Sequence, residues 1–244
     1  MCLETIRRII YKLNITLKKA SRTLENVNSV ISKERRKEYA RAFLNEDAEN
    51  LKTMVFIDES GFDLHLRRTM ARSPRGAPAS VILPSVRGRN VSFISAITKM
   101  GVLFSTCYVG PVDSIRYKEF LAGLLNKCRG KNILDNCVFV MDNARIHNSR
   151  DTRAFYEEND LTIQFLSPYS YMLNPIEFGL SKIKACVRRR LSDGFNGSFE
   201  SLIHDSVREL TGNDLRGYYS HILRNCLKAV ELEDFDEIHL FISS

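Results

Sequence analysis

The order in which hydrophobic periodicity changes along this 244-residue chain restricts its fold more than any other feature. Three short runs of β-forming residues come first: MVFIDES (54–60), VSFISAIT (91–98) and VLFSTCYV (102–109). The last two are separated only by Lys99, Met100 and Gly101, as in a tight hairpin. An amphipathic helix follows, DSIRYKEFLAGLLNKC (113–128), with Asp113 placed to cap it and Ile115, Phe120, Leu121, Leu124 and Leu125 on its apolar face. Strand CVFVMD (137–142), a helix over 149–159, strand TIQFL (162–166) and a long helix IEFGLSKIKACVRRRL (176–191) then alternate. Helices near 199–210 and 216–230 close the series.

Three meandering strands followed by crossover connections require a mixed sheet covered by helices, because parallel neighbours cannot be joined by a tight turn. The predicted class is therefore α/β with ribonuclease-H-like topology, its main domain spanning 51–230. Residues 1–50 precede it with two helical patterns. Residues 1–22 carry Arg7, Arg8, Lys12, Lys18, Lys19 and Arg22 against Glu4 alone, with Ile6, Ile9, Ile10 and Leu13 at helical spacing. The stretch SKERRKEYARAFLNE (32–46) reads as an exposed linker helix with Ser32 as N-cap and Tyr39, Ala42 and Phe43 as its apolar stripe. The acidic segment ELEDFDE opens a tail over 231–244 that is expected to be solvated.

Composition narrows the partners. The net charge of +7 and pI near 9.1 favour a polyanion through long-range attraction and counterion release. The six cysteines are scattered without zinc-ligand spacing, which suits reduced thiols. No apolar run is long enough to cross a bilayer, and the N-terminus is charged too early for a signal peptide, so an intracellular protein without a membrane partner is expected.

Three carboxylates stand where strands end or a helix begins: Asp58, Asp142 and Glu177. Each has an ordinary structural use. Aspartate is common in the turns that follow strands, and Glu177 lies three residues after Asn174, with Pro175 between them, as in a helix capping box. Brought to one sheet edge, the three are also what Mg²⁺ or Mn²⁺ needs, since such ions take oxygen ligands and, in pairs, serve phosphoryl transfer. Glu59 points away from Asp58 along a strand and Asp63 lies beyond Gly61, so both are set aside as bystanders.

The segments VFIDESGF, VFVMDNARIHNS and LSPYSYMLNPIEFGLSKIK resemble, in order, the three signature blocks of the Tc1/mariner-like transposases and their bacterial relatives. The 34 residues between Asp142 and Glu177 resemble the spacing of the Tc1 branch. The resemblance runs from about Thr5 to Tyr219 and implies a DDE endonuclease domain. It implies that Asp58, Asp142 and Glu177 are catalytic residues binding two Mg²⁺ (or Mn²⁺) ions, with Asn143 and His147 as supporting residues that orient a water or contact a phosphate. For His147, a packed structural role is the alternative.

It further implies cut-and-paste transposition: cleavage at transposon ends, then strand transfer into double-stranded target DNA, usually at TA, by a homodimer, in the nucleus of a eukaryotic host. TIRRIIYKLNIT resembles the last helix of a helix-turn-helix, giving a partial N-terminal reader with Arg7, Arg8 and Lys12 as DNA contacts. Lys182, Lys184, Arg188, Arg189 and Arg190 are expected phosphate contacts, or a solvated face. Arg67, Arg68, Arg72, Arg75, Arg87 and Arg89 fit a DNA-facing hairpin. The alternatives are a catalytically silent, transposase-derived DNA-binding protein and a ribonuclease-H-like nuclease acting on hybrids or junctions.

Overall fold

The computed structural model describes residues 3–15, 25–48, 52–63, 66, 73–78 and 90–235. Strands β1 (Thr53–Phe62), β2 (Val91–Thr98), β3 (Gly101–Val109), β4 (Cys137–Met141) and β5 (Thr162–Phe165) form one sheet in the order β3-β2-β1-β4-β5. The first three pair antiparallel, and β4 and β5 join parallel to β1. This is the mixed topology the periodicity implies.

Alternation along β1 divides the core in two. Met54, Phe56 and Phe62 face α2 (Val30–Ala48), α5 (Pro175–Ser192), α6 (Phe199–Val207) and α7 (Gly212–Val230). Val55 and Ile57 face α3 (Ser114–Gly130) and α4 (Arg150–Glu158). Short polar side chains start the helices. Asp113 accepts from the Arg116 amide, Ser149 from Thr152, and Thr211 and Asp214 form a reciprocal capping box.

Helix α2 departs from the expected linker. Ser29, not Ser32, acts at its start, its Oγ accepting from the Ser32 amide at 3.3 Å. The buried face is Ser32, Arg36, Tyr39, Ala40 and Phe43, while Ala42 is exposed. Phe43 lies 6.1 Å from the Phe56 ring and 5.7 Å from Tyr219, so that face belongs to the core. The start of the acidic tail is also engaged. Asn28 exchanges hydrogen bonds with the Phe235 backbone, Lys33 pairs with Asp234, and the Arg36 guanidinium stacks 4.9 Å from the Phe235 ring.

Helix α1 (Leu3–Lys12) keeps Arg7, Arg8 and Lys12 exposed, and its expected apolar stripe of Ile6, Ile9 and Ile10 is exposed too. Lys18, Lys19 and Arg22 lie outside the described residues, as do Arg67, Arg68, Arg72, Arg87 and Arg89 of the expected DNA-facing hairpin; Arg75 is described and exposed. Among the described residues no helix is long and apolar enough to cross a membrane.

Close packing of α3 on the sheet rests on one absent side chain. A Cβ at Gly123 would stand 2.7 Å from the Phe104 ring. Gly123→Ala is therefore expected to destabilise the domain by about 1–3 kcal/mol, the usual cost of overpacking. A urea midpoint no lower than wild type would show that Phe104 yields freely.

Candidate active site

Parallel pairing between β1 and β4 sets Phe56 opposite Val140. Continuing that register by two residues puts Asp58 level with Asp142, on strands that lie about 4.8 Å apart. All five residues of β4 are buried, so Asp142, the first residue beyond it, is where the strand emerges into solvent. Asp58 shares the sheet face of Met54 and Phe56, over which α5 packs, and Glu177 projects from the first turn of α5. All three carboxylates line one cleft of about 450 Å³, walled by Asn143, Ala144 and the segment Leu166–Tyr171.

The capping role available to Glu177 is not used. The Asn174 amide that a capping box would occupy donates to the Tyr171 carbonyl at 2.9 Å, and Asn174 caps the helix itself, accepting from Ile176. The turn role of Asp142 is used, but by one oxygen: Oδ1 accepts from the Ala144 amide at 3.0 Å.

Electrostatically the cleft holds more negative charge than it offsets. Burial, then Glu177 and Glu59, push the Asp58 carboxyl well above the usual carboxylate range. Glu177 is raised by burial and Asp142 against the opposing pull of Lys184. Lys184, 5.8 Å from the Phe62 ring centroid, is lowered by burial and Arg188 and drawn back by Glu177 and Asp58. Across the β1–β2 ladder from Asp58 sits Ser95, whose buried Oγ has no hydrogen-bond partner among the described residues.

This donor set suits hard divalent cations, which take carboxylate oxygens, keep several waters and would offset the like-charge repulsion on Asp58. The carboxylates face the cleft without closing on a point. Among the described residues no three His, Cys, Asp or Glu side chains are gathered tightly enough to hold an ion.

Glu59 is not a bystander. Alternation does send it to the other face of β1, but there its Oε1 lies 2.9 Å from His147 Nε2. His147 Nδ1 in turn lies 2.8 Å from Asp142 Oδ1 and 3.1 Å from the Asp142 carbonyl. Burial works against a charged imidazole, yet the hydrogen bonds to Asp142 and Glu59 prevail and raise His147 to about 10. The same bond holds Asp142 low, against burial. Asn143 lines the cleft but is occupied structurally, donating to the Leu166 carbonyl at 3.0 Å and accepting from Asn148 at 3.0 Å.

The basic residues of α5 separate into two groups. Lys182 pairs with Asp214 at 2.6 Å, Arg189 with Glu209 at 2.6 Å and Arg190 with Glu209 at 2.7 Å, which ties α5 to the segment between α6 and α7 and to α7. The charge of these three is largely spent inside the protein. Lys184 and Arg188, both half-buried, carry no such ion pair among the described residues, and Lys184 is a cation beside Glu177 and Asp58.

A mixed five-stranded sheet with helices on both faces, and acidic residues just beyond the parallel ladder of its two central strands, defines a ribonuclease-H-like domain. Residues 53–195, more than half of the chain, match the family model of the DDE superfamily endonuclease, and the chain belongs to that family. No curated protein sequence matches it. Among solved structures, the Mos1 transposase paired-end complex with left transposon end aligns at TM-score 0.74 and 18% identity, over 93% of this chain and 69% of that one. The mariner Mos1 paired-end complex with Mg aligns at 0.72 and 20%, over 96% and 72%. The Mos1 catalytic domain with Raltegravir and Mg aligns at 0.64 and 17%, over 88% of this chain and all of that one, 100%. At these identities the likeness is one of fold.

Glu209, held between Arg189 and Arg190, is depressed from 4.5 to about 2. A depressed carboxyl contributes stability above its unfolded value that is lost as pH falls through the folded one. Stability should therefore decline between about pH 4.5 and pH 2, and Glu209→Gln should remove part of that slope. Identical denaturant midpoints across this range for both proteins would show that the latch carries no net stabilisation.

Proposed function

We propose that the chain is the catalytic part of a Tc1/mariner-like transposase, cutting DNA at transposon ends and joining the freed 3′-hydroxyl to target DNA at TA. The observation that carries this reading is the convergence of Asp58, Asp142 and Glu177 on one cleft just beyond the parallel β1–β4 ladder, in a chain of the DDE endonuclease family.

In this reading Asp58 and Asp142 hold divalent cations together, Mg²⁺ or Mn²⁺, and Glu177 completes the set from the opposite wall. Such ions, when bound, supply Lewis acidity and neutralise charge on the phosphate oxygens. The chain's own part is positional. Lys184 brings a positive charge to the edge of the cleft for the phosphodiester, and Asn143 shapes the wall through its bond to Leu166. Exposed Arg7, Arg8 and Lys12 on α1 and half-buried Arg188 on α5 supply phosphate contacts outside the cleft. Mos1 has been solved with transposon-end DNA and with Mg and Mn. By analogy of fold, this chain takes double-stranded DNA, works as a dimer that pairs two ends, and acts in the nucleus if its host is eukaryotic.

The test is nicking of supercoiled plasmid by the full chain in Mn²⁺, beside Asp142→Asn, Glu177→Gln and an EDTA control. Wild type should nick, and each variant should fall to the EDTA background while keeping the wild-type circular dichroism. Nicking that survives Asp142→Asn would sink the assignment. Tight plasmid binding by wild type without any cut would instead identify a silent, transposase-derived DNA-binding protein.

A further inference from the structure

We propose that Glu59 is a positioning residue that fixes the Asp142 carboxylate through His147, an inference that rests on the metal-binding reading of Asp142 given above. The two neighbours Asp58 and Glu59 lie inside β1 and point to opposite faces, so one serves the cleft directly and the other serves it from behind the sheet. From the rear face Glu59 Oε1 meets His147 Nε2 at 2.9 Å, and His147 Nδ1 meets Asp142 Oδ1 at 2.8 Å and the Asp142 carbonyl at 3.1 Å.

Both ring nitrogens thus face oxygen acceptors, and the ring has no freedom to turn. Its side chain is 0% exposed, it lies 4.7 Å from the Tyr117 ring, and its own amide is tied to the Ala144 carbonyl at 3.0 Å. Tyr117 is itself anchored, its hydroxyl 3.4 Å from the Met141 sulfur.

Asp142 has particular need of such a brace. It stands one residue beyond the last buried position of β4, and its side chain is 55% exposed. Both of its side-chain contacts, from His147 and from the Ala144 amide, fall on Oδ1. Oδ1 is therefore held from behind, and neither of these bonds engages Oδ2. Partners of this kind set the orientation of a metal ligand, and their loss commonly weakens metal binding about 10- to 100-fold.

The probe is Mn²⁺ alone, its binding to the full chain followed by electron paramagnetic resonance of the free ion, without DNA, with melting in EDTA measured in parallel. Glu59→Ala should bind Mn²⁺ about 10- to 100-fold more weakly. Glu59→Gln keeps an oxygen acceptor for Nε2 and should recover most of the affinity. A purely structural role would shift melting in EDTA and leave the Mn²⁺ affinity of the folded protein unchanged. If Glu59→Ala does not fold, His147→Phe reads the same relay, since it keeps a ring against Tyr117 but donates nothing to Asp142. The same 10- to 100-fold loss is expected. Wild-type Mn²⁺ affinity in a folded Glu59→Ala or His147→Phe, with Asp142→Asn impaired, overturns the relay alone. Wild-type affinity in Asp142→Asn overturns the metal reading and the relay with it.

Discussion

Parallel pairing of β1 with β4 is the constraint on which the rest depends. One register, Phe56 opposite Val140, decides that Asp58 and Asp142 come out level and on the same sheet face. A slip of one residue would turn one carboxylate to the far side and send a buried valine or methionine toward water. The apolar cores on the two faces therefore enforce the acidic cleft: Met54, Phe56, Val138 and Val140 belong to one, Val55, Phe139 and Met141 to the other. A crossover helix is needed between these parallel strands, and α3 supplies it.

Much of this was legible in the chain itself. Short runs of β-forming residues marked every strand, and the caps at Asp113 and Asn174 sit where helices begin. Asp142 and Glu177 are legible because a strand end and a helix start are short-range features and because their flanking blocks resemble a known family; Asp58 shares the resemblance, but its strand does not end there, since β1 runs on to Phe62 along its pairing with β2. What escaped was what depends on pairing across the sheet. Glu59 was set aside on a correct inference about direction, but nothing in VFIDESGF shows that the far face holds the histidine of VFVMDNARIHNS. Ser95, opposite Asp58, was likewise hidden, although a serine inside the apolar run VSFISAIT was a faint signal.

The other misreadings share one cause, which is that long polar side chains find distant partners. Arg36 sits on a helix that looks solvated, yet it is 1% exposed and donates to the Val27 carbonyl at 2.6 Å. Lys182 and Arg189 look like phosphate contacts by their helical spacing, and instead fasten α5 to Asp214 and Glu209. Charge runs can be counted in a sequence, but which charges are already neutralised is a tertiary fact.

The clasp between Asn28 and Phe235 joins positions 207 residues apart. It is among the most non-local contacts the chain can make, and its entropic closure cost becomes small only once the intervening domain has condensed. The Arg36 guanidinium that it covers reaches the Ser170 hydroxyl and the Tyr169 carbonyl, two residues of the cleft wall. The clasp at Asn28 and Phe235 thus rests on the same buried cation that supports the cleft, so the wall of the cleft and the closing contact of the domain share one brace.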